Sequence, residues 1–386
     1  MPTKQQIPYG RQCVDEDDIA AVTEVLRSDW LTTGPKVPEF EEAVAGFCGA
    51  GHGVAVSSGT AALHAAMYAI GIGPGDEVIV PAITFAATAN CVVYQGGTPV
   101  FADVEAETLL VDVEDIERRI TPRTRAIIAV DYAGQPCDYD ALRDITSRHG
   151  LALVADSCHA LGAEYKGRKT GTLADLTVFS FHPVKHITTG EGGMIITNDP
   201  HLAERARIFR NHGITTDHRQ RAENGTWRYQ MVELGYNYRL SDIQCALGIS
   251  QLKKLPNWLR HRREIAAHYA KDLTSSAITP LTSHTDRTHA WHLYVVKVRE
   301  RDRIFDDLRH AGIGVNVHYQ PVHLHPYYRQ NFNTGVGMCP VAEAVAGEII
   351  TLPLYPAMSM DNIEFTARQI RAASSDTTTI VCDGRF

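Results

Sequence analysis

The chain has 386 residues, of which 44% are hydrophobic and 21% charged, with a formal net charge of −8 at pH 7. That is long enough for two domains and a sizeable core, and the balance is that of an ordinary globular protein. The negative charge and the lack of a dense Lys/Arg cluster argue against nucleic acid as a partner, and no uninterrupted apolar run reaches membrane-spanning length.

No apolar stretch of signal-peptide kind follows the first residues, and the eight cysteines are scattered singly, none at C-x-x-C spacing. Free thiols and a cytoplasmic setting are expected. Ile7-Pro8-Tyr9-Gly10 reads as an extended arm, because Pro8 disfavours helix before it and Gly10 breaks the chain after it. The acidic run Asp15-Glu16-Asp17-Asp18 then suits the positive end of a helix dipole, with Ile19, Val22, Val25 and Leu26 at helical spacing. The loop Thr32-Thr33-Gly34-Pro35 leads to a second amphipathic helix carrying Phe40, Val44 and Phe47. Gly53-Val54-Ala55-Val56-Ser57 predicts a buried strand, which Ser58-Gly59-Thr60 turns directly into a small-residue helix over 61–67. Free amides at a helix start, a glycine and two hydroxyls can cradle a phosphate without any lysine; they also suit plain helix capping. The run Gly71-Ile72-Gly73-Pro74-Gly75 lies between helix and strand, the wrong order for a dinucleotide fingerprint, and no Walker pattern occurs.

Strands over 77–80, 99–101 and 126–131 alternate with helices after Thr84 and over 113–120. Continuous apolar strands separated by helices imply a parallel sheet covered on both faces, with ligands beyond the strands' carboxyl ends. The next strand, 151–155, ends on Asp156, which either faces that crevice or caps the helix that follows. Leu176-Thr177-Val178-Phe179-Ser180-Phe181 stops at His182-Pro183, and Lys185 follows in a turn bounded by Gly190, Gly192 and Gly193. Such a lysine is either a surface residue on a hairpin or a desolvated amine able to form a Schiff base. A strand over 194–197 and a helix over 202–209 come next. The stretch 211–231 is polar, rich in His and Arg and long for a connection, so it reads as a functional or partly disordered loop. Ser241 caps a helix through Ile243, Leu247 and Leu252, and a second long helix over 257–273 leads to a second domain. Strands over 292–298 and 314–318 with helices over 303–310 and 342–350 give that domain an α+β character. The tail from Ser374 lacks periodicity and is expected to be loosely held.

A lysine at one strand exit, an aspartate at another and a phosphate cradle at a third together describe pyridoxal phosphate (PLP). That cofactor needs an amine for its aldehyde, a carboxylate to keep its pyridine nitrogen protonated, and an anion site. The segments Leu31 to Lys36, Ser57 to Thr60, Pro81 to Phe85, Ala155 to Ala160, Ser180 to Lys185 with Glu191-Gly192-Gly193, and Gly235 to Leu240 resemble those of the DegT/DnrJ/EryC1/StrS sugar aminotransferases. The resemblance covers nearly all of residues 7–370. It implies an α/β protein of PLP-dependent transferase fold type I, similar to aspartate aminotransferase. The implied parts are an arm (1–14), a large domain (15–250) with a mainly parallel seven-stranded sheet covered by helices, a smaller α+β domain (251–372) and a tail (373–386). By the same resemblance Lys185 forms the internal aldimine and shuttles protons, Asp156 binds the pyridine nitrogen, His159 lies beside the ring and Phe85 stacks on its face. Ser58, Gly59, Thr60 and Ser180 hold the phosphate, and Asn237 is lent to the neighbouring subunit's cofactor in a homodimer. For the substrate it implies Tyr9 and Thr33 near the sugar, with Arg228, Tyr236, Arg239, His318 and Tyr319 toward the nucleotide's diphosphate. No metal is expected, since His318, His323 and His325 bring no second-shell carboxylate with them in the sequence.

Within the family, Ile7 to Gln12, Val130 to Gln135, Ser180 to Lys185 and Val317 to Val322 resemble the 4-aminotransferases of pseudaminic acid biosynthesis. That implies L-glutamate as donor and UDP-2-acetamido-2,6-dideoxy-β-L-arabino-hexos-4-ulose as acceptor. His289-Ala290-Trp291-His292-Leu293 is similar instead to enzymes that make 4-amino-4-deoxy-arabinose for lipid A. His186 stands where these enzymes more often carry an apolar or amide side chain. A nicotinamide oxidoreductase would need its glycine fingerprint, and a sugar dehydratase of the same superfamily would carry histidine in place of Lys185. A regulator that binds the cofactor or a sugar nucleotide without turnover is the competing reading from another class.

Overall fold

The computed structural model describes residues 6–216, 218–273 and 277–375. Its largest sheet has seven strands, which from edge to edge are those starting at His52, Gly193, Leu176, Ala152, Thr124, Glu77 and Thr98. The last five run parallel, and Gly193–Thr197 is antiparallel to both its neighbours. Val54, Val78, Ile127, Leu153 and Val178 are wholly buried, as the unbroken apolar strands require when helices cover both faces. Asp156 and Ser180 end adjacent parallel strands, and Ser180 pairs with Gly193 across the antiparallel step. The loop that carries Lys185 is therefore clamped at both ends by a single strand pair.

The helices begin where their capping residues stand. Asp15 and Asp18 form a reciprocal capping box for Glu16–Leu26, and Ser58 caps Gly59–Ala69, whose small side chains let nearly the whole helix be buried. Asp242, at the start of a long helix, accepts the amides of Gly34 (2.7 Å) and Lys36 (2.9 Å) and so ties down the loop before Lys36–Cys48.

In three places the structure corrects the sequence reading. The two helices expected over 241–252 and 257–273 are one helix, Asp242–Asp272, with Pro256 inside it. It runs unbroken through 250/251. Pro256 is exposed, while Cys245, Leu252, Leu255, Trp258, Leu259 and Tyr269 continue one buried stripe on both sides of it. Packing along that stripe outweighs the lost backbone hydrogen bond. Residues 314–318 do not form a strand: Gly314 donates to Ile7 (2.6 Å), and only Asn316 bridges to Thr351. The helix expected over 342–350 is Pro340–Ala346, after which the β-branched Ile349 and Ile350 enter the strand Ile349–Leu352.

That strand pairs with Tyr294–Val298, which pairs in turn with Ile278–Pro280. Helices Arg301–His310 and Met360–Ser375 pack on this small sheet around a core of its own that includes Tyr269, Val296, Leu308, Ile350 and Ile370. The last helix escaped the sequence reading; its buried stripe interleaves Ile363 and Ile370 with Thr366, Ala367, Ala373 and Ser374, which weakens the apolar periodicity. Ser374 and Ser375 belong to its final turn; the rest of the expected tail lies outside the described residues. The arm joins the same core, with Ile7 buried and hydrogen-bonded to Gly312 (3.0 Å), and Tyr9 O accepting from Leu354 (3.1 Å). No helix among the described residues is long and apolar enough to cross a membrane.

Candidate active site

A cavity of about 610 Å³ opens at the carboxyl ends of the parallel strands, between the large sheet and the segment 316–319. Ser58, Gly59, Thr60, Phe85, Asp156, His159, Ser180 and Lys185 line it from the sheet side, and Tyr9, His318 and Tyr319 from the other. Its composition follows from topology. Three strand exits supply the helix start, the carboxylate and the lysine loop, while the arm brings in Tyr9.

Asp156 is buried and both of its oxygens are oriented: Thr88 Oγ1 donates to Oδ2 (2.7 Å) and the amide of Cys158 to Oδ1 (3.3 Å). Beneath it, Asp131 donates its amide to the Asp156 carbonyl (3.1 Å) and accepts from Ser157 Oγ (2.6 Å) and Tyr139 OH (2.9 Å). Burial raises the Asp131 carboxyl to about 6 against the pull of those donors. Lys185 is partly buried, and desolvation lowers its pKa while Cys158 and Asp156 pull the other way. Its Nζ lies 3.4 Å from Nε2 of His292. His159 is held neutral, well below the usual histidine range, first by burial and then by Lys185. Its Nε2 meets Tyr319 OH at 3.1 Å, and its Nδ1, buried beside the cavity, has no hydrogen-bond partner among the described residues. His318 is pushed down to about 3 by burial and bonds to Thr351 Oγ1 (2.9 Å).

The helix start answers the question left open between cradle and cap. Ser58 Oγ does cap the helix, accepting from Ala61 N (3.0 Å), which leaves its O–H as a donor. A Cβ at Gly59 would stand 2.9 Å from Ser180 Cβ and 3.3 Å from Cys158 Sγ, so only glycine lets the backbone approach there. By helix geometry the first amides, those of Gly59 and Thr60, are left for a ligand. Capping by Ser58 therefore does not exclude a cradle. A phosphate at these amides, a pyridine nitrogen at Asp156 and an aldehyde at Lys185 are compatible with the residues present, and the orphaned Nδ1 of His159 offers a further polar contact.

The remaining sequence-predicted residues lie outside this cavity. Thr33 and Arg239 line a smaller cleft of about 100 Å³ with Arg207, Arg210 and Asn211, and Arg239 donates to Asn211 Oδ1 (2.9 Å). Arg239 forms no ion pair among the described residues; desolvation and Arg210 lower its pKa. Asn237 bridges to Asn211, and Tyr236 stacks on Tyr238 at 5.1 Å. Arg228 is exposed beside Trp227. The stretch 211–231 folds back on itself: Ile214 bridges to Met231, and Gly213 at φ +71° lies so close to Glu233 and Gly235 that a side chain would clash. His323 does have a carboxylate beside it, contrary to the sequence reading. Glu343 lies 2.9 Å from its Nε2 and also accepts the amides of Gly337 and Cys339, so the pair serves to close a loop.

Sequence reasoning missed Thr88, Asn316, Glu191 and His292 as lining or supporting groups. Thr88 gives no signal beyond lying three residues after Phe85. His292 stands in a motif that did attract attention, but nothing local said that Ala133, accepting the amides of His292 (2.9 Å) and Leu293 (3.1 Å), would start the strand only at Tyr294 and leave His292 at the cavity.

Comparison with known proteins agrees with this geometry. The model of the DegT/DnrJ/EryC1/StrS aminotransferase family matches residues 12–371. The spore coat polysaccharide biosynthesis protein SpsC of Bacillus subtilis is 42% identical over 375 residues, which span 95% of this chain and 96% of SpsC. Spr1654 from Streptococcus pneumoniae in its PLP form superposes with a TM-score of 0.91 at 34% identity, covering 97% of this chain and all of that one. Helicobacter pylori PseC, an aminotransferase involved in pseudaminic acid biosynthesis, does so with a TM-score of 0.90 at 34% identity, covering 96% of this chain and all of PseC. With a family match over almost its whole length, and a cavity whose lysine, carboxylate and helix start suit the cofactor, the chain belongs to the DegT/DnrJ/EryC1/StrS family and is a PLP-dependent sugar aminotransferase.

Proposed function

We propose that the enzyme moves an amino group from L-glutamate to the C4 ketone of UDP-2-acetamido-2,6-dideoxy-β-L-arabino-hexos-4-ulose. Lys185 would hold the cofactor through its aldehyde and, as a free amine, would carry the protons; Asp156 would hold the pyridine nitrogen. His159 and Phe85 would lie beside the ring, and Ser58, Gly59, Thr60 and Ser180 would hold the phosphate. The cofactor, when bound, supplies the electron sink. What this chain adds is a partly buried amine whose pKa is lowered by desolvation, and a cavity wall of neutral imidazoles and hydroxyls. The observation that carries the reading is the convergence of Lys185, Asp156 and the Gly59–Ala69 helix start on one cavity.

Tyr9, His318 and Tyr319 are the substrate contacts of this chain's own cavity. Asn237, Thr33, Arg228, Tyr236 and Arg239 serve the neighbouring copy of a homodimer, an arrangement supported by the exposed apolar run of Trp227 (80% exposed), Met231 and Leu234 (75% exposed). A cytoplasmic setting accords with seven described cysteines that are all free.

The likeness to PseC, an aminotransferase involved in pseudaminic acid biosynthesis, supports the sugar named above; the likeness to SpsC, a spore coat polysaccharide biosynthesis protein, supports the alternative of another nucleotide sugar. Incubating the PLP-loaded enzyme with glutamate and a panel of UDP- and dTDP-4-ketosugars, then reading the products by NMR, separates the two. Amination of the L-arabino UDP-sugar in preference to the others is expected; failure on it with turnover of another would replace this sugar but not the reaction.

A further inference from the structure

Lys185 and His292 are 107 residues apart in the chain, yet Nζ of one lies 3.4 Å from Nε2 of the other. The histidine is set there by its backbone. Its amide donates to Ala133 O (2.9 Å), and Arg262 Nη1 donates to its carbonyl (3.5 Å), to that of Trp291 (3.1 Å) and to that of Leu354 (3.1 Å). Arg262 is fully buried and has no carboxylate within ion-pair distance among the described residues, so a costly buried cation is spent on fixing this turn. The His292 ring is packed 4.5 Å from that of His159 and 5.5 Å from that of His186, whose Nε2 donates to Ala290 O (3.0 Å).

The hydrogen's place depends on the amine. A protonated lysine has three donors and no acceptor, so opposite it Nε2 of His292 carries the lone pair and the ring hydrogen sits on Nδ1, a buried nitrogen with no hydrogen-bond partner among the described residues; a neutral amine can accept from Nε2–H instead. Burial and the charge of Lys185 keep the ring neutral, as that role requires. Of the other groups facing the amine, Asp156 and Cys158 act on it electrostatically, and His159, His186 and His318 are neutral through burial.

We infer that His292 is a positioning residue for Lys185: whenever the amine is not bonded to the cofactor, Nε2 of His292 accepts a hydrogen bond from it and holds it against the cavity wall. A flexible four-carbon stem is thereby returned to one place in each cycle, within reach of the protons it must move. The inference rests on Lys185 as the cofactor's amine. Its test reads the lysine's ionisation rather than turnover, so its failure leaves the proposed reaction standing.

The test uses the full-length protein loaded with pyridoxamine phosphate, in which Lys185 is free. Competitive acetylation across pH, with the Lys185 peptide quantified by mass spectrometry, is compared for wild type, His292→Phe and His292→Gln. Phenylalanine removes an acceptor that favours the ammonium form, so the labelling midpoint moves to lower pH, and below the wild-type midpoint Lys185 labels about tenfold faster. Glutamine, whose amide oxygen can accept, restores the wild-type profile. A purely packing role gives the opposite sign, because a loosened cavity admits water and raises the midpoint; that result, or an unchanged profile, overturns the inference. Should His292→Phe fail to fold, the wild-type protein with ¹⁵N-labelled histidine decides by NMR: an Nδ1–H tautomer at His292 is expected, and an Nε2–H tautomer overturns it.

Discussion

His64 shows what burial does to a single residue here. It is enclosed by the rings of Tyr94, Phe209 and Tyr236 at 5.0 to 5.1 Å, bonds through Nδ1 to Tyr238 OH (3.2 Å), and is pushed down to about 4 by desolvation. A base whose folded pKa lies below its unfolded value binds fewer protons when folded, so stability is lost as pH falls from about 6.5 to about 4. The loss from this group is at most about 3 kcal/mol. His64→Phe keeps the ring packing and removes the titration; thermal unfolding at pH 7 and pH 4.5 should therefore show a smaller acid-side loss in the variant. Taken singly, Lys185 also suited a hairpin surface and Asp156 a helix cap; they stood out in the sequence only together, with the Ser58-Gly59-Thr60 turn, as three groups at three strand exits. The supporting shell did not. Thr88 and His292 reach the site from other segments, and no local pattern records which side chain a fold will bring against which.

At the scale of elements, the strands and helices of the large sheet could be read because their periodicity and caps agree with their tertiary setting. The misreadings came where tertiary contacts overruled a local signal. Pro256 is a strong local stop, yet the buried stripe from Cys245 to Tyr269 carries one helix through it. Its ring lies on the exposed side, so Pro256→Ala restores a backbone donor without filling any core space. The substitution should raise stability by about 1 to 3 kcal/mol in urea unfolding; a neutral or destabilising result would mean that the helix has adapted its path to the proline. The segment 314–318 failed as a strand for a complementary reason: the arm takes its hydrogen bonds at Gly314, and His318 turns into the cavity.

For the whole molecule, the cavity of one chain holds the residues proposed to face the cofactor but not Asn237 or Arg239. A two-fold dimer in which these reach the partner's site makes a specific demand. Lys185→Ala and Asn237→Ala proteins, each impaired alone, should on unfolding and reassembly together recover about a quarter of the wild-type sites, because each mixed dimer contains one intact site. Turnover of the reassembled mixture checks this, and no recovery would place Asn237 in its own chain's site. The central claim concerns Lys185 and the cofactor, and the most direct measurement is the absorbance spectrum of the purified protein before and after L-glutamate, with Lys185→Ala alongside. The wild type should show the visible band of lysine-bound PLP and lose it as glutamate converts the cofactor to its pyridoxamine form, and Lys185→Ala should lack that band and turnover alike. A Lys185→Ala protein with the same band and normal activity would contradict the account.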